Sequence, residues 1–576
     1  IKKNLDFLET RSHDVPVRHR SLRAAFEHSW KLLSEEDRRI IARLSVFSHN
    51  FSHPAAEQLA NATPALLASF VDKNLLTRQS NGRYLMPDTL RVFVLEYLKS
   101  ETQEYENLLD RHSEYFLQLL TNVFSEFARD SGASVIRELW LDADNIRVAL
   151  NRALDRQNWP LLMNSIDPLL SVFEMQGRFR EGYDYTAAMM QQVTEMVGMQ
   201  QPDIYYNLSG WNGTFGFRLG FTQEALKKMQ ERFEYAQRQG DWPHAANTLM
   251  WMADYHRRLG ETNKAHQEIQ QSLQILEPMS AIGNPLGSGF LANALCILGG
   301  IQIRLNQVEA ARQSVERCNA ILQRSPARYV MIRFLEIQAQ IANQDKRYEA
   351  ALNHRQEALT IAEDFNDRRS VAVLLNNLSD SAEHLGDYAS ALAYLERASQ
   401  ISEDIGDRQI SALLNNNLGF MTFMLDRLEE SIQYYRKSLS LYREIGNKVG
   451  YFLTLRDNSR AYLKQGNILA AQARIVEALH LGMELNDPLQ ALQLIAVIAQ
   501  LMMKTDRTQR AIPMCWVGLN HPQSNHDHRR NIQALLAELG VAAESDSSQA
   551  APAPEASLPA FQDLLAEVES LLLVPA

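Results

Sequence analysis

The sequence predicts an all-α protein whose larger part is a solenoid of helical hairpins repeating at a fixed interval, and three observations predict it. Phe365-Asn366-Asp367 returns as Ile405-Gly406-Asp407, Ile445-Gly446-Asn447 and Leu485-Asn486-Asp487, each 40 further along the chain than the last. A second set between these marks keeps the same interval: Leu385-Gly386-Asp387, Leu425-Asp426-Arg427 and Gln465-Gly466-Asn467. Small residues hold register too, at Ala351, Ala391, Ser431 and Ala471, and at Ala358, Ala398, Ser438 and Ala478. Two turn signals per unit mean two helices per unit, stacked on their neighbours. Small side chains at fixed positions are what close approach of packed helices needs.

The spelling of one unit resembles the long form of the tetratricopeptide repeat: Leu-Gly-Asp-Tyr-Ala-Ser-Ala-Leu at 385–392, then Tyr394, Ala398 and Ile405-Gly406-Asp407. The resemblance spans most of residues 160–520. Earlier units drift: Leu219-Gly220-Phe221 and Leu259-Gly260-Glu261 lie 40 apart, but Leu305-Asn306-Gln307 follows after 46. The extra residues are expected in a loop from Pro278 to Ser288, which holds Gly283-Asn284-Pro285 and Gly287. Leu489 to Leu519 reads as a last, weaker pair of helices.

Ahead of the array the periodicity differs. Ser21 caps an amphipathic helix through Leu22, Phe26, Trp30 and Leu33. Ser34, followed by Glu35, Glu36 and Asp37, opens the next, with acids where the helix dipole favours them. An alanine-rich helix follows Ser52, and a fourth runs from Pro64 to Lys73. Leu75-Leu76-Thr77-Arg78 and Arg83-Tyr84-Leu85-Met86 flank Ser80-Asn81-Gly82, a strong hairpin signal. Closed by a helix from Thr89 to Leu98, with Asp88 as its N-cap, this pattern describes a winged-helix domain. The expected organisation is therefore a leading tail at 1–20, a winged helix at 21–100, a helical linker at 101–158 and the array at 159–521. A terminal helical region at 522–541, a flexible linker at 542–558 and an amphipathic helix at 559–576 complete it. In 101–154 the buried stripe is read as Tyr105, His112, Tyr115, Phe116 and Leu119.

Several separated words in this region carry a wider resemblance. Val15-Pro16-Val17-Arg18-His19-Arg20-Ser21-Leu22-Arg23, His28-Ser29-Trp30, Leu44-Ser45-Val46-Phe47 and Val71-Asp72-Lys73-Asn74-Leu75-Leu76 are similar to the winged-helix segment of STAND signal-transduction ATPases. More narrowly they resemble bacterial NB-ARC transcriptional regulators with tetratricopeptide sensors, as does Leu141-Asp142-Ala143-Asp144-Asn145-Ile146-Arg147 in the linker. The resemblance implies a nucleotide-binding module upstream of Ile1, holding ADP or ATP, with residues 1–20 as its tail. No G-x-x-x-x-G-K-[ST] loop occurs in these 576 residues, so no cofactor is expected on this stretch itself. The family's Met-His-Asp-like motif falls on Met86-Pro87-Asp88. Proline has no ionisable group and no N–H, so the histidine's nucleotide contact does not carry over. Met86, Asp88 and Arg91 remain candidates for a relay between sensor and switch.

Bulk properties narrow the function classes. Hydrophobic content of 45% and charged content of 22% fit a soluble globular protein. A net charge of −11 argues against coating nucleic acid or anionic membranes. The expected reader helix, Pro64 to Lys73, offers one basic residue beside Asp72, and only Arg78 and Arg83 on the hairpin add to it, which does not suit DNA. Cys296, Cys318 and Cys515 are too few and scattered for a disulfide framework or a zinc site, and a reducing, cytoplasmic setting is expected. His521, His526 and His528 with Asp527 are placed in a solvated turn between Asn520 and Arg530. No apolar run long enough to span a membrane appears, and no catalytic triad or paired-carboxylate signature, so no enzyme is expected.

The expected function is a sensor arm binding a protein, peptide or small inducer; the alternatives are a constitutive scaffold and winged-helix DNA binding. The first helix of each hairpin lines the inner face of such a solenoid, where Asn376, Asn377, Asn416, Asn417, Asp457 and Asn458 recur close to the repeat interval. An amide both donates and accepts, so a ladder of them can pair with an extended peptide backbone. Asparagines serve that purpose in related long-repeat proteins, matching Asn377 and Asn417. The same side chains can instead satisfy one another between helices.

Overall fold

The computed structural model describes residues 26–27, 30–129, 139–198, 200–281, 285–485, 488–505, 507–520, 526–539 and 541. The tail at 1–20, the Ser21 cap, the Asn486-Asp487 turn word, the linker at 542–558 and the helix at 559–576 lie outside them. The chain divides into two compact units, Ile1–Phe173 with Met189–Leu208, and Glu174–Ala188 with Ser209–Ala576.

In the first unit, helices Glu35–Leu44, His53–Ala60 and Pro64–Asp72 begin on side-chain caps, Ser34, Ser52 and Thr63, each accepting from the N–H three residues on. The hairpin forms where expected but is short, Thr77–Arg78 (β2) against Tyr84–Leu85 (β3). Gly82 takes φ +80° and donates its N–H to the Gln79 carbonyl at 3.0 Å, a turn that a residue with a Cβ enters only under strain. A third strand was not anticipated: Asn50–Phe51 (β1) pairs antiparallel with β3, giving the order β1-β3-β2. Helix Asp88–Ser100 corrects the expected cap, because Pro87 holds the N-cap position and no side chain caps the helix. Proline's φ of −54° lets its carbonyl begin the helix one residue early, leaving Asp88 inside the first turn. Phe26 and Trp30 pack on Phe93 with ring centroids 5.9 and 6.1 Å apart.

The long helix Thr102–Arg129 and the helix Ala143–Asp155 are tied to each other and to this sheet. Arg152 grips Asp110 at 2.6 Å and Glu106 at 2.7 Å. The Leu141–Asn145 word reaches the strands: the buried Arg83 guanidinium pairs bidentately with Asp142 and donates to Asn50. Asn145 donates to the Asn50 carbonyl at 3.0 Å and accepts from the Ser48 N–H at 2.9 Å. Arg83 is thus an internal tie rather than a free cation on the hairpin. Of the expected stripe, His112 and Phe116 are fully buried, while Tyr105, Tyr115 and Leu119 are half-buried.

Burial of His112 beside Phe47 and Phe116 pushes its pKa down to about 4, against a weaker pull from Asn145. The unfolded chain binds a proton there that the folded chain refuses. This contribution is therefore fully present above pH ~6.5 and is lost as pH falls toward 4, by roughly 3 kcal/mol. Urea unfolding at pH 7 and pH 5 is expected to show a smaller acid loss in His112→Leu; equal losses in the two proteins would contradict this.

The second unit is the array. Hairpins run from Trp242–Leu259 with Thr262–Ala281, through Pro285–Arg304 with Val308–Arg324, Arg328–Gln344 with Tyr348–Asp364, Arg368–His384 with Tyr388–Ile405, and Arg408–Met424 with Leu428–Ile445. Lys448–Gln465 with Ile468–Leu485 and Pro488–Lys504 with Thr508–Asn520 follow, then the helix His526–Glu538. The expected Pro278–Ser288 loop is mostly helix, since one helix continues through Pro278 to Ala281 and the next starts at Pro285. Pro278 sits inside the last turn of its helix, and Pro285 suits a first helical position.

The repeat words have a direct physical reading. Their central residues, Asn366, Gly386, Gly406, Asp426, Gly446 and Gly466, all have positive φ and end a helix. The next residue caps the following helix: Asp367, Asp387, Asp407, Asn447 and Asn467 each accept the N–H three residues on. Arg427 breaks the series and caps nothing. All eight small register positions are fully buried. Where serine replaces alanine, its hydroxyl donates to a carbonyl of the neighbouring helix, Ser431 to Gly419 and Ser438 to Ala412, at 2.7 and 2.8 Å. Four successive units also repeat an exposed ion pair from the start of the first helix to the end of the second: Arg328–Asp364, Arg368–Asp404, Arg408–Glu444 and Lys448–Glu484. Exposed pairs contribute little singly.

Within this unit, loops far apart in the chain meet. Thr222 donates to the Ile445 carbonyl at 2.7 Å, Asn447 to the Arg258 carbonyl at 3.1 Å, and Asn366 to Gln176 at 3.2 Å. Gly260, at φ +85°, seats Val449 so closely that a Cβ would lie 2.6 Å from its Cγ2. The array is a tight superhelix whose successive turns touch.

Candidate functional site

The first helices of the hairpins line a cavity of about 370 Å³ within the second unit. Its positions follow the repeat. Arg333, Val373, Leu413 and Leu453 occupy one register position in four successive units, and Arg369, Gln409 and Val449 another, one turn earlier. Residues four apart share a helix face, so Arg369, Val373 and Asn377 form one stripe facing the cavity.

The cavity is amphipathic and basic. Five arginines line it, Arg257, Arg258, Arg304, Arg333 and Arg369, with Glu336 the one acid among the lining residues, in a chain whose net charge is −11. Behind them Asp254 is fully buried and takes Arg257 at 2.6 Å, Arg258 at 2.8 Å and Arg333 at 3.6 Å. Burial opposes its charge, but these three cations more than offset that and hold its carboxyl well below the usual range. Asp407 holds Arg369 at 2.9 Å while also capping its own helix. Glu336 is shared with the buried Arg355 at 3.4 Å. Arg304 has no hydrogen bond or ion pair with the described residues. Protein mass around it in the cavity and the neighbouring Arg257 pull its pKa down to about 10, although its side chain reaches solvent. Burial, only partly offset by Asp254, pulls Arg258 down to about 9.

The asparagine ladder lies beside these residues. Asn376 and Asn377 line the cavity; Asn416, Asn417 and Asp457 do not. Asn417 donates to Asn376 at 2.8 Å, Asn376 to Asn377 at 3.2 Å, and Thr454 to Asn416 at 2.9 Å, so the amides also link adjacent first helices. Asp457 is bound by Arg456 at 2.8 Å. Asn458, expected on the groove, is fully buried instead. The arginines were missed because three of them come from the drifted units before residue 328. A signal existed at the other two, since Arg333 and Arg369 stand in the same repeat register as the asparagines, one or two turns earlier.

In the first unit, Met86 is buried, and Arg91 lies 3.9 Å from the more exposed Asp88. Cys296, which lines the cavity, touches Cys318 with the sulfurs 3.5 Å apart, a contact the spacing of the cysteines did not reveal. That contact and burial hold the Cys296 thiol well above its ordinary pKa, so it offers no thiolate nucleophile. His526 and His528 lie in a helix rather than in the expected turn, and His521 is outside the described residues. Among the described residues no cluster of three or more metal-ligating side chains occurs, and no helix is long and apolar enough to cross a membrane.

The tetratricopeptide-repeat family model matches residues 332–404 and 409–481. No curated protein matches the chain. Among solved structures, a signal-transduction ATPase with numerous domains (STAND) and a tetratricopeptide repeat sensor, from Pyrococcus horikoshii, is 16% identical, with 92% of this chain and 67% of that chain covered and a TM-score of 0.38. The apo form of the quorum sensor NprR from B. thuringiensis is 15% identical over 55% of this chain and 94% of its own, at a TM-score of 0.37. The apo form of RapI is 14% identical over 43% and 96%, at a TM-score of 0.35.

Proposed function

We propose that this chain is the non-catalytic sensor arm of a STAND-type ATPase, binding its ligand in the array and relaying that event through a winged helix to a nucleotide switch. The observation that carries this reading is the repeat array with a lined cavity on its first-helix face. A solenoid that only spaced its neighbours apart would not need five arginines turned toward one hollow. The order of elements in the first unit, three helices, a hairpin with a third strand and a closing helix, supports a winged helix beside the resemblance of its sequence words.

The relay rests on that same unit. Asp142 and Asn145 fasten the linker word to β1 and to Arg83 beside β3, so helix Ala143–Asp155 and the sheet move as one body. A rigid body of this kind transmits a change at one end to the other, with Met86, Asp88 and Arg91 at its nucleotide side and ADP or ATP on an upstream module. DNA binding is disfavoured because Arg83 is spent on Asp142. A ligand shifts such a switch only if it binds the open arrangement better than the closed one.

Capture of the nucleotide-binding module by this chain is the test, with that module loaded with ADP or with a non-hydrolysable ATP analogue. The sensor reading expects tighter capture in the ADP state. Equal capture in both states would overturn it in favour of a constitutive scaffold.

A further inference from the structure

We propose that the array cavity is a binding site for an anionic organic ligand, one whose phosphate or carboxylate groups are held by Arg304, Arg333 and Arg258 while an apolar portion lies on the Ile, Val and Leu side chains of the lining. The inference rests on the sensor reading only for its consequence; the binding itself stands on the cavity.

Charge comes first. The arginines of the lining outnumber the carboxylates that serve them: Asp254 serves three at once, Asp407 serves Arg369, and Glu336 pairs with Arg355 outside the lining. Arg304 has no partner among the described residues. An unpaired cation beside like charges is stabilised by any anion that can approach it, and a guanidinium offers several N–H donors in a plane that matches phosphate or carboxylate oxygens.

Shape and composition come second. A cavity of about 370 Å³ suits a small molecule or two or three residues of a peptide. Val373, Ile410, Leu413, Val449 and Leu453 supply a wall opposite in character to the arginines. Asn377 adds an amide to the lining. A fully polar anion would leave that wall unused; an apolar ligand would leave Arg304 uncompensated. An amphipathic anion satisfies both.

Thermal melting of the whole chain at constant ionic strength tests this, with inorganic pyrophosphate, citrate, the acidic peptide Leu-Glu-Leu-Glu and the neutral sugar maltose as probes, followed by calorimetric titration. Pyrophosphate, citrate or the peptide should raise the melting temperature, and maltose should not. The stronger of pyrophosphate and the carboxylate probes identifies which oxyanion the site prefers. Arg304→Gln should weaken the best probe about tenfold and Arg304→Lys much less, while the exposed Arg397→Gln outside the cavity should leave it unchanged. No stabilisation by any anionic probe, or equal affinity in wild type and Arg304→Gln, would overturn the proposal. Because Arg304 has no internal partner, neither variant removes a contact the fold uses. Binding with these properties but no state-dependent capture of the nucleotide module would sink the sensor reading and leave the site standing. Capture without anion binding would do the reverse.

Discussion

Asp254→Ala is expected to destabilise the array by about 3–5 kcal/mol, one of the two largest effects we anticipate from a single substitution. Asp254 is fully buried, and three arginines converge on it. Removing the carboxylate leaves those three cations facing one another, with Arg304 nearby and their shared counter-charge gone. The cost is that of uncompensated charge rather than of lost packing, which separates two variants. Asp254→Asn keeps the volume but loses the charge, and should lose nearly as much as alanine. Urea unfolding monitored by hydrogen exchange in helix Trp242–Leu259 measures both, and a loss below about 1 kcal/mol in either would contradict the account. Anions should also partly rescue these variants, because they supply the missing charge.

Asp142→Ala should cost a comparable ~3–5 kcal/mol in the first unit, for the same reason at a different place. Arg83 and Asp142 are both buried and paired bidentately, and Asn50 shares the guanidinium. Losing Asp142 strands Arg83 beneath a sheet whose strands are each only two residues long. Such a sheet has little strength of its own, so the loss should appear as faster hydrogen exchange at Tyr84 and Leu85 before the helices open. The variant to compare is Asp144→Ala on the same turn, whose partner Arg147 is exposed and 3.8 Å away, and which should cost less than about 1 kcal/mol. Equal losses in the two would mean that Arg83 is not the tie between linker and sheet.

What could be read from the sequence, and what could not, divides by range. The turn words were legible because their physics is local: a left-handed residue ends one helix, and an Asp or Asn directly after it begins the next. The small residues were legible because the repeat copies them. Strand β1 was not, since Asn50 and Phe51 carry no alternation and are a strand only because β3 lies beside them. Asp88 misled as a cap because Asp is favoured there, and Pro87 took the position instead. Pro278 misled as a loop marker because the helix Thr262–Ala281 runs through it.

The candidate site was half legible. The asparagines stood out as repeated polar residues on helices expected to line a groove, and Asn376 and Asn377 do line the cavity. Arg304 lies where the regular interval fails, and Arg257 and Arg258 in an earlier unit whose spelling has drifted, so no register pointed to them. Asp254, which gathers three arginines into one place, reaches Arg333 in a different hairpin, and no local pattern announces such a contact. Turn-to-turn contacts such as Asn447 with Arg258 join distant parts of the chain and depend on the pitch of the superhelix, a sum of small rotations that no single unit spells out.

The central proposal is that the array governs a nucleotide switch. Its most direct measurement is the release rate of a fluorescent ADP analogue from the proposed nucleotide-binding module, produced in isolation, with this chain added in trans at saturating concentration. The account predicts that release slows by at least tenfold in its presence. Release at the same rate with and without the chain would contradict it.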